Sequence, residues 1–343
     1  DVFSYIHLNS AVFIGRSILQ FYNLKSIFNS GKIKFEMSNS FESFRIAEER
    51  YSQYIEPTFS KVIFDSERPQ IILVSAVGAT GKTALAQVLS NQTHLPLFDL
   101  SKHREVGDST LTGLITKTFS VEHLSGIFDG LRKGTYGIIV DGIDEGRSKT
   151  NEGAFRAFLD DIIKLCDGGE GYYCSFLLLG RTQMLEECWD YLIENGIDVG
   201  LVSISPFSTD QACKYIDTFT TSIDPAYLSQ YEEARNKIME LLGTAFTDTS
   251  RNDEADFREF IGYPPVLDSI VTLFKEEKNY HRLLSELEKD DVTNVEIDLL
   301  RKIVKYILRR EKEDKIDQNI LHPIIKDLPF ERKNEILDTT FDE

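Results

Sequence analysis

Short apolar runs at 71–74, 138–140 and 176–179, and a mostly apolar one at 199–204, are separated by longer stretches in which apolar residues recur every three or four positions. A short run without alternation fits a strand buried on both faces, whereas recurrence at i, i+3 and i+4 fits an amphipathic helix. The pattern therefore predicts strands and helices in alternation. A strand at 71–74 leads to a helix at 83–89 and a short strand at 95–100, whose Pro96 places it near an edge. Helices follow at about 110–119 and 121–131, then a strand at 136–140. Phe155, Phe158, Leu159, Ile162, Ile163 and Cys166 form the next helical face, before strands at 175–181 and 199–204, the last closed by Pro206. This alternation predicts an α/β fold built on a doubly wound parallel sheet of five strands.

Beyond Ser208, placed to cap a helix at 209–219, the strand signals stop. Helices are expected at 226–242, 254–260, 265–278, 280–289 and 293–310, interrupted by a polar loop at 247–254. In the last of them Val295, Leu299, Leu300, Ile303, Val304, Ile307 and Leu308 form an apolar stripe expected to be core, and the charged tract at 309–315 reads as a solvated face. Ahead of the first strand, 11–28 and 41–55 carry helical periodicity, the second ended by Pro57. The expected divisions are an N-terminal helical and linker region at 1–60, the α/β domain at 61–207, a helical domain at 208–310 and the start of a further region at 311–343.

Chemistry concentrates where two of the strands end. Ile71 to Thr83 reads IILVSAVGATGKT, an apolar strand followed by a small, Gly-rich turn and then Gly81-Lys82-Thr83 at the start of a helix. Backbone N–H groups close around a polyphosphate where glycine permits, and the following helix adds the positive end of its dipole. Gly78, Ala79, Thr80, Gly81, Lys82, Thr83 and Ala84 are the candidate phosphate contacts, with Lys82 on the outer phosphates and the Thr83 hydroxyl on Mg²⁺. One position departs from G-x-x-x-x-G-K-[ST]: Ala76 stands where the first glycine belongs, which is tolerable if its φ stays negative. The second stretch, Ile138 to Glu145, ends in three acids: Asp141 is a candidate metal ligand, while Asp144 and Glu145 can orient or deprotonate an attacking water. Arg181, at the end of the next strand, would face the same crevice and sense a γ-phosphate.

The formal charge of −18 argues against a broad nucleic-acid or anionic-membrane surface, since both need clustered Lys and Arg. No apolar run approaches a membrane span, and Cys166, Cys174, Cys188 and Cys213 lack C-x-x-C spacing, so reduced thiols in a cytoplasmic protein are expected. The chain begins without Met and is read as part of a longer polypeptide.

With these motifs in hand, the chain resembles the signal-transducing P-loop NTPases called STAND, and within them the NACHT-like branch. Asp141-Gly142-Ile143-Asp144-Glu145 is similar to that branch's Walker B motif, and Arg181 to the sensor 1 arginine. Ser205-Pro206-Phe207-Ser208 resembles the start of the helical lid, and Gly262-Tyr263-Pro264 the G-x-P motif whose proline lies against adenine. The resemblance covers about 45–310 and implies a sheet order 5-1-4-3-2 with a lid domain over ATP or ADP and Mg²⁺. It also implies nucleotide-controlled homo-oligomerisation that activates an effector, in bacteria often for anti-phage defence. His322, in Leu321-His322-Pro323, is a weak match to the family's phosphate-sensing histidine. The competing readings are a ring-forming AAA+ motor, for which Arg147 or Arg156 would have to act across subunits, and a scaffold that binds nucleotide without hydrolysing it. A small-molecule kinase fits less well, because the helical segment follows the sheet instead of interrupting it.

Overall fold

Each of the four apolar runs becomes a strand, and the burial of their backbones explains why they lack alternation. In this computed structural model the described residues are 19–20, 24–25, 28, 32–33, 53–64, 69–102, 105–166, 174–220, 223–244, 260–277, 279–288, 295 and 298–308. The first of two compact units, 1–205, holds the sheet. Its strands are β1 (Leu19–Gln20), β2 (Thr58–Phe64), β3 (Ile71–Ala76), β4 (Leu97–Asp99), β5 (Ile138–Asp141), β6 (Phe176–Arg181) and β7 (Val199–Ile204). Helices α1 (Lys82–Thr93), α2 (Thr110–Thr118), α3 (Val121–Arg132), α4 (Ile143–Ser148), α5 (Glu152–Cys166) and α6 (Thr182–Glu194) connect them. Every residue of β3 is buried, and Ile71, Ile72, Leu73 and Val74 are fully so.

Among the described residues the sheet has seven strands, not five, in the order β1-β2-β7-β3-β6-β5-β4. Its parallel part runs β7-β3-β6-β5-β4, and the difference from the expected count is β1 and β2, antiparallel additions on the outer side of β7. β2 escaped notice because Lys61 interrupts its apolar pattern, leaving Val62-Ile63-Phe64 as a faint signal. The helix expected at 11–28 is contradicted at Leu19–Gln20, where backbone pairing to Phe59 and Thr58 overrides local periodicity. Of the helix expected at 41–55, positions 41–52 lie outside the described residues and 53–55 are not helical, consistent with Pro57 biasing the chain toward extended backbone before β2.

Helix α1 runs beyond its expected end at Leu89 because its polar last turn bonds locally: Thr93 Oγ1 donates to Leu89 O at 2.6 Å and Ser90 Oγ to Leu95 O at 2.6 Å. The N-terminus of α2 has no cap from Ser109; Asp161 of α5 supplies it, accepting from the amides of Leu111 (3.1 Å) and Thr112 (3.3 Å).

The second unit, 206–343, is helical where described. Its helices α7 (Thr209–Phe219), α8 (Leu228–Thr244), α9 (Pro264–Glu276) and α10 (Tyr280–Leu287) precede further helical residues at 298–308. Ser208 caps α7 as expected, in a capping box with Gln211. The core gathers Tyr231, Ile238, Val266, Leu267, Ile270 and Phe274, with Tyr231 and Phe274 ring centroids 4.9 Å apart at 65°. From the last stripe Leu299 and Ile303 enter this core, whereas Val304 is 48% exposed and does not. Gly262 is held by close approach: a Cβ there would stand 2.3 Å from Phe207 O, and its own carbonyl accepts the Phe207 amide at 3.0 Å. The expected loop at 247–254, all but the last residue of the helix at 254–260, the region 311–343 and His322 lie outside the described residues.

Candidate functional site at the carboxyl ends of the parallel strands

Between β3 and α1 the backbone turns sharply. Ala79 (φ 58°) and Gly81 (φ 90°) both adopt left-handed conformations, the first at a cost of roughly 1–2 kcal/mol for an L-residue. Space explains the rest of the composition, since a Cβ added at Gly78 or Gly81 would meet nothing within 4 Å, so the loop is an open cradle. Ala76, the departure from the motif, is the last residue of β3 and has no positive φ, so alanine meets no left-handed strain there. Lys82 folds back along the loop, its Nζ donating to the carbonyls of Val77 at 2.9 Å and Ala76 at 3.2 Å. Thr80 Oγ1 donates to the same Val77 carbonyl at 2.8 Å, and Gly81 O accepts the Leu85 amide at 2.9 Å, starting α1. Thr83 and Ala84 are exposed in the first turn.

Two strands away in the sheet, β5 delivers the carboxylates. Asp141 is 5% exposed, and the Thr83 hydroxyl and Gly142 amide near its carboxylate offset part of the effect of burial, so the two motifs meet in one place. Burial pushes Asp141 above the usual carboxylate range, and Glu145 likewise, with Asp144 and Asp141 nearby adding to the effect on Glu145. Burial pulls Lys82 down, opposed by the charges of Asp144, Asp141 and Glu145. Gly142 is required twice over: its φ is 76°, and a Cβ would come 3.0 Å from Ser101 N and 3.3 Å from Glu145 Oε2. This turn aims the first residues of α4 back at the strand ends.

On the third strand end, Asp144 Oδ1 accepts the Arg181 amide at 3.1 Å and Asp144 Oδ2 pairs with Arg181 Nε at 2.8 Å. Gly180 makes this approach possible, since its Cβ would lie 3.2 Å from Ile143 Cβ. Lys82, Thr83, Asp141, Asp144, Glu145 and Arg181 thus share one neighbourhood. Pro264 belongs to the second unit, where it opens α9. Sequence reading overlooked Asp99, which pairs with Asp141 in the sheet register and raises its pKa further. Its signal was the same as that of Asp141, an acid closing an apolar strand. Arg147 donates to Thr150 O at 3.2 Å and lies over Phe155, while Arg156 pairs with Glu152 at 2.6 Å, so both are engaged within this chain.

The donor set fits a magnesium nucleotide. Mg²⁺ takes one or two protein oxygens and completes its octahedron with phosphate and water, and a threonine hydroxyl against a buried aspartate is that kind of partial shell. Among the described residues no group of three or more His, Cys, Asp or Glu makes a closed metal cage, and no helix is long and apolar enough to cross a membrane.

A parallel sheet whose loop, lysine and threonine face an acid on a strand two places along has the arrangement of a P-loop nucleotide-binding fold. No family model matches the chain, and no curated protein matches it in sequence. Among solved structures it is similar to the Walker-type ATPase PABY2304 of Pyrococcus abyssi, with 14% identity over 73% of this chain and 74% of that one and a TM-score of 0.40.

Proposed function

We propose that this chain is the ATP-binding and hydrolysing switch module of a STAND, NACHT-like signalling protein of the kind that serves anti-phage defence. The observation carrying the reading is the convergence of Lys82 and Thr83 of the phosphate loop with Asp141, Asp144 and Glu145 at the end of β5. In this reading the Lys82 ammonium exchanges the Ala76 and Val77 carbonyls for phosphate oxygens, and the loop amides close on the phosphates. Thr83 and Asp141 hold Mg²⁺, which when bound neutralises charge on the phosphate oxygens. Glu145 accepts the proton of the attacking water; a carboxyl whose pKa is raised by burial is a stronger base once ionised. The helical second unit serves as the lid, with Pro264 against adenine, and ATP in place of ADP favours a homo-oligomer that engages an effector. The test is the mass of the assembly with ADP and with an unhydrolysable ATP analogue, alongside phosphate release. An oligomer that forms only with the ATP analogue, together with slow turnover, is expected; a ring of constant size with either nucleotide would favour the AAA+ motor, and no nucleotide binding would remove both.

A further inference from the structure

The three acids of the second motif are not equivalent in the folded chain. Both carboxylate oxygens of Asp144 are directed at Arg181, one to the backbone amide (3.1 Å) and one to Nε (2.8 Å). The Asp144 side chain is 15% exposed and that of Arg181 65%. The acid is therefore the fixed member, set in the first turn of α4 that Gly180 lets approach, and the arginine is the member being oriented. Nε and the amide are used, while Nη1 and Nη2 of Arg181 have no partner among the described residues, although the arginine's charge is felt at Lys82. A guanidinium held at Nε presents its Nη1 and Nη2 fork, the geometry that takes a phosphate in two parallel hydrogen bonds.

We propose that Asp144 is a positioning residue that aims the outer edge of Arg181 at the terminal phosphate of a nucleoside triphosphate, and so sets the preference for triphosphate over diphosphate and does not itself activate water. The inference rests on the nucleotide-switch reading above and divides its labour: Glu145 acts on water, Asp144 acts through Arg181. An exposed ion pair alone is worth little, and it is the second contact, to the backbone amide, that fixes one geometry.

The readout is the ratio of affinities for an unhydrolysable ATP analogue and for ADP, measured by calorimetric titration of the full chain and of Arg181→Ala, Asp144→Ala, Asp144→Asn and the double alanine variant. Arg181→Ala should lower the ratio about tenfold, the scale of one lost charge-assisted hydrogen bond, with ADP affinity unchanged. Asp144→Ala should lower it to the same degree, and the double variant no further, because the two residues act as a unit. Asp144→Asn, which keeps an acceptor for the amide but loses the charge, should fall between, and it carries the test if the alanine variant does not fold. An unchanged ratio in folded Asp144 variants, additive losses in the double variant, or an Asp144→Asn effect confined to turnover would each overturn the inference. A parent chain that binds neither nucleotide would instead overturn the switch reading, and this inference with it.

Discussion

Two lysines stand at opposite ends of the same parallel strands, and both donate to backbone carbonyls. Lys82, at the carboxyl ends, takes Ala76 O and Val77 O. Lys32, at the amino ends, takes Gly134 O at 2.7 Å, Tyr136 O at 3.2 Å and Cys174 O. Burial lowers the pKa of each, that of Lys32 to about 8. The difference is in what surrounds them. Around Lys82 stand three carboxylates that hold its charge, and its loop leaves open space; around Lys32 are the buried thiols Cys166 and Cys174 and the Phe28 ring, with Gly137 leaving room for its stem. A lysine that satisfies strand-end carbonyls is thus part of the architecture in one place and of chemistry in the other, and the acids and the open cradle decide which.

Removing each lysine breaks the comparison most directly. Lys82→Ala should reduce ATP affinity by about 10²-fold or more while leaving the melting temperature unchanged, because it loses charge-assisted phosphate contacts and no core. Equal titration curves for variant and parent would reject the loop as the phosphate site. Glu145→Gln should keep ATP binding and lower turnover by about 10²-fold, prolonging any ATP-bound assembly, as phosphate release and oligomer lifetime on one preparation would reveal. Lys32→Met should do the reverse of Lys82→Ala: nucleotide affinity stays, and stability drops by about 1–3 kcal/mol in denaturant unfolding, since buried carbonyls lose their donor. A smaller effect should appear in pH. Glu145 must be ionised to act as base, and burial raises its pKa, so turnover should fall with acidification at a pH above the ordinary glutamate value of 4.5, and Glu145→Gln should change the shape of that limb, leaving only the part set by Asp141, which burial also raises.

What could be read in the chain beforehand follows the same division. The parallel strands and the loop were legible because buried parallel strands write uninterrupted apolar runs, and because phosphate chemistry demands glycine, lysine and threonine at fixed spacing. β1 and β2 were not, since edge strands carry mixed sequence and are made by pairing with β7 and with each other. At the site, residue identity announced Asp141, Asp144 and Glu145, but not their different partners. That Asp144 would be taken up by Arg181, 37 positions on, depends on the sheet order and on Gly180, which no local pattern encodes.

The seam between β2 and β7 gives the molecule a mechanical property. β2 begins at Thr58 and Ser205 directly follows β7, and these two residues are joined by a hydrogen bond from Ser205 N to Thr58 O at 2.8 Å. The start of β2 and the end of β7 therefore coincide at one corner, beside the antiparallel pairing of Phe59 with Ile204. Tension applied between Thr58 and Ser205 themselves is borne across that corner, through β2 and β7, and does not run through β6 or β5. The strands that present Arg181 and Asp141 lie off the load path, so the site can keep its geometry while its neighbours in the chain are pulled.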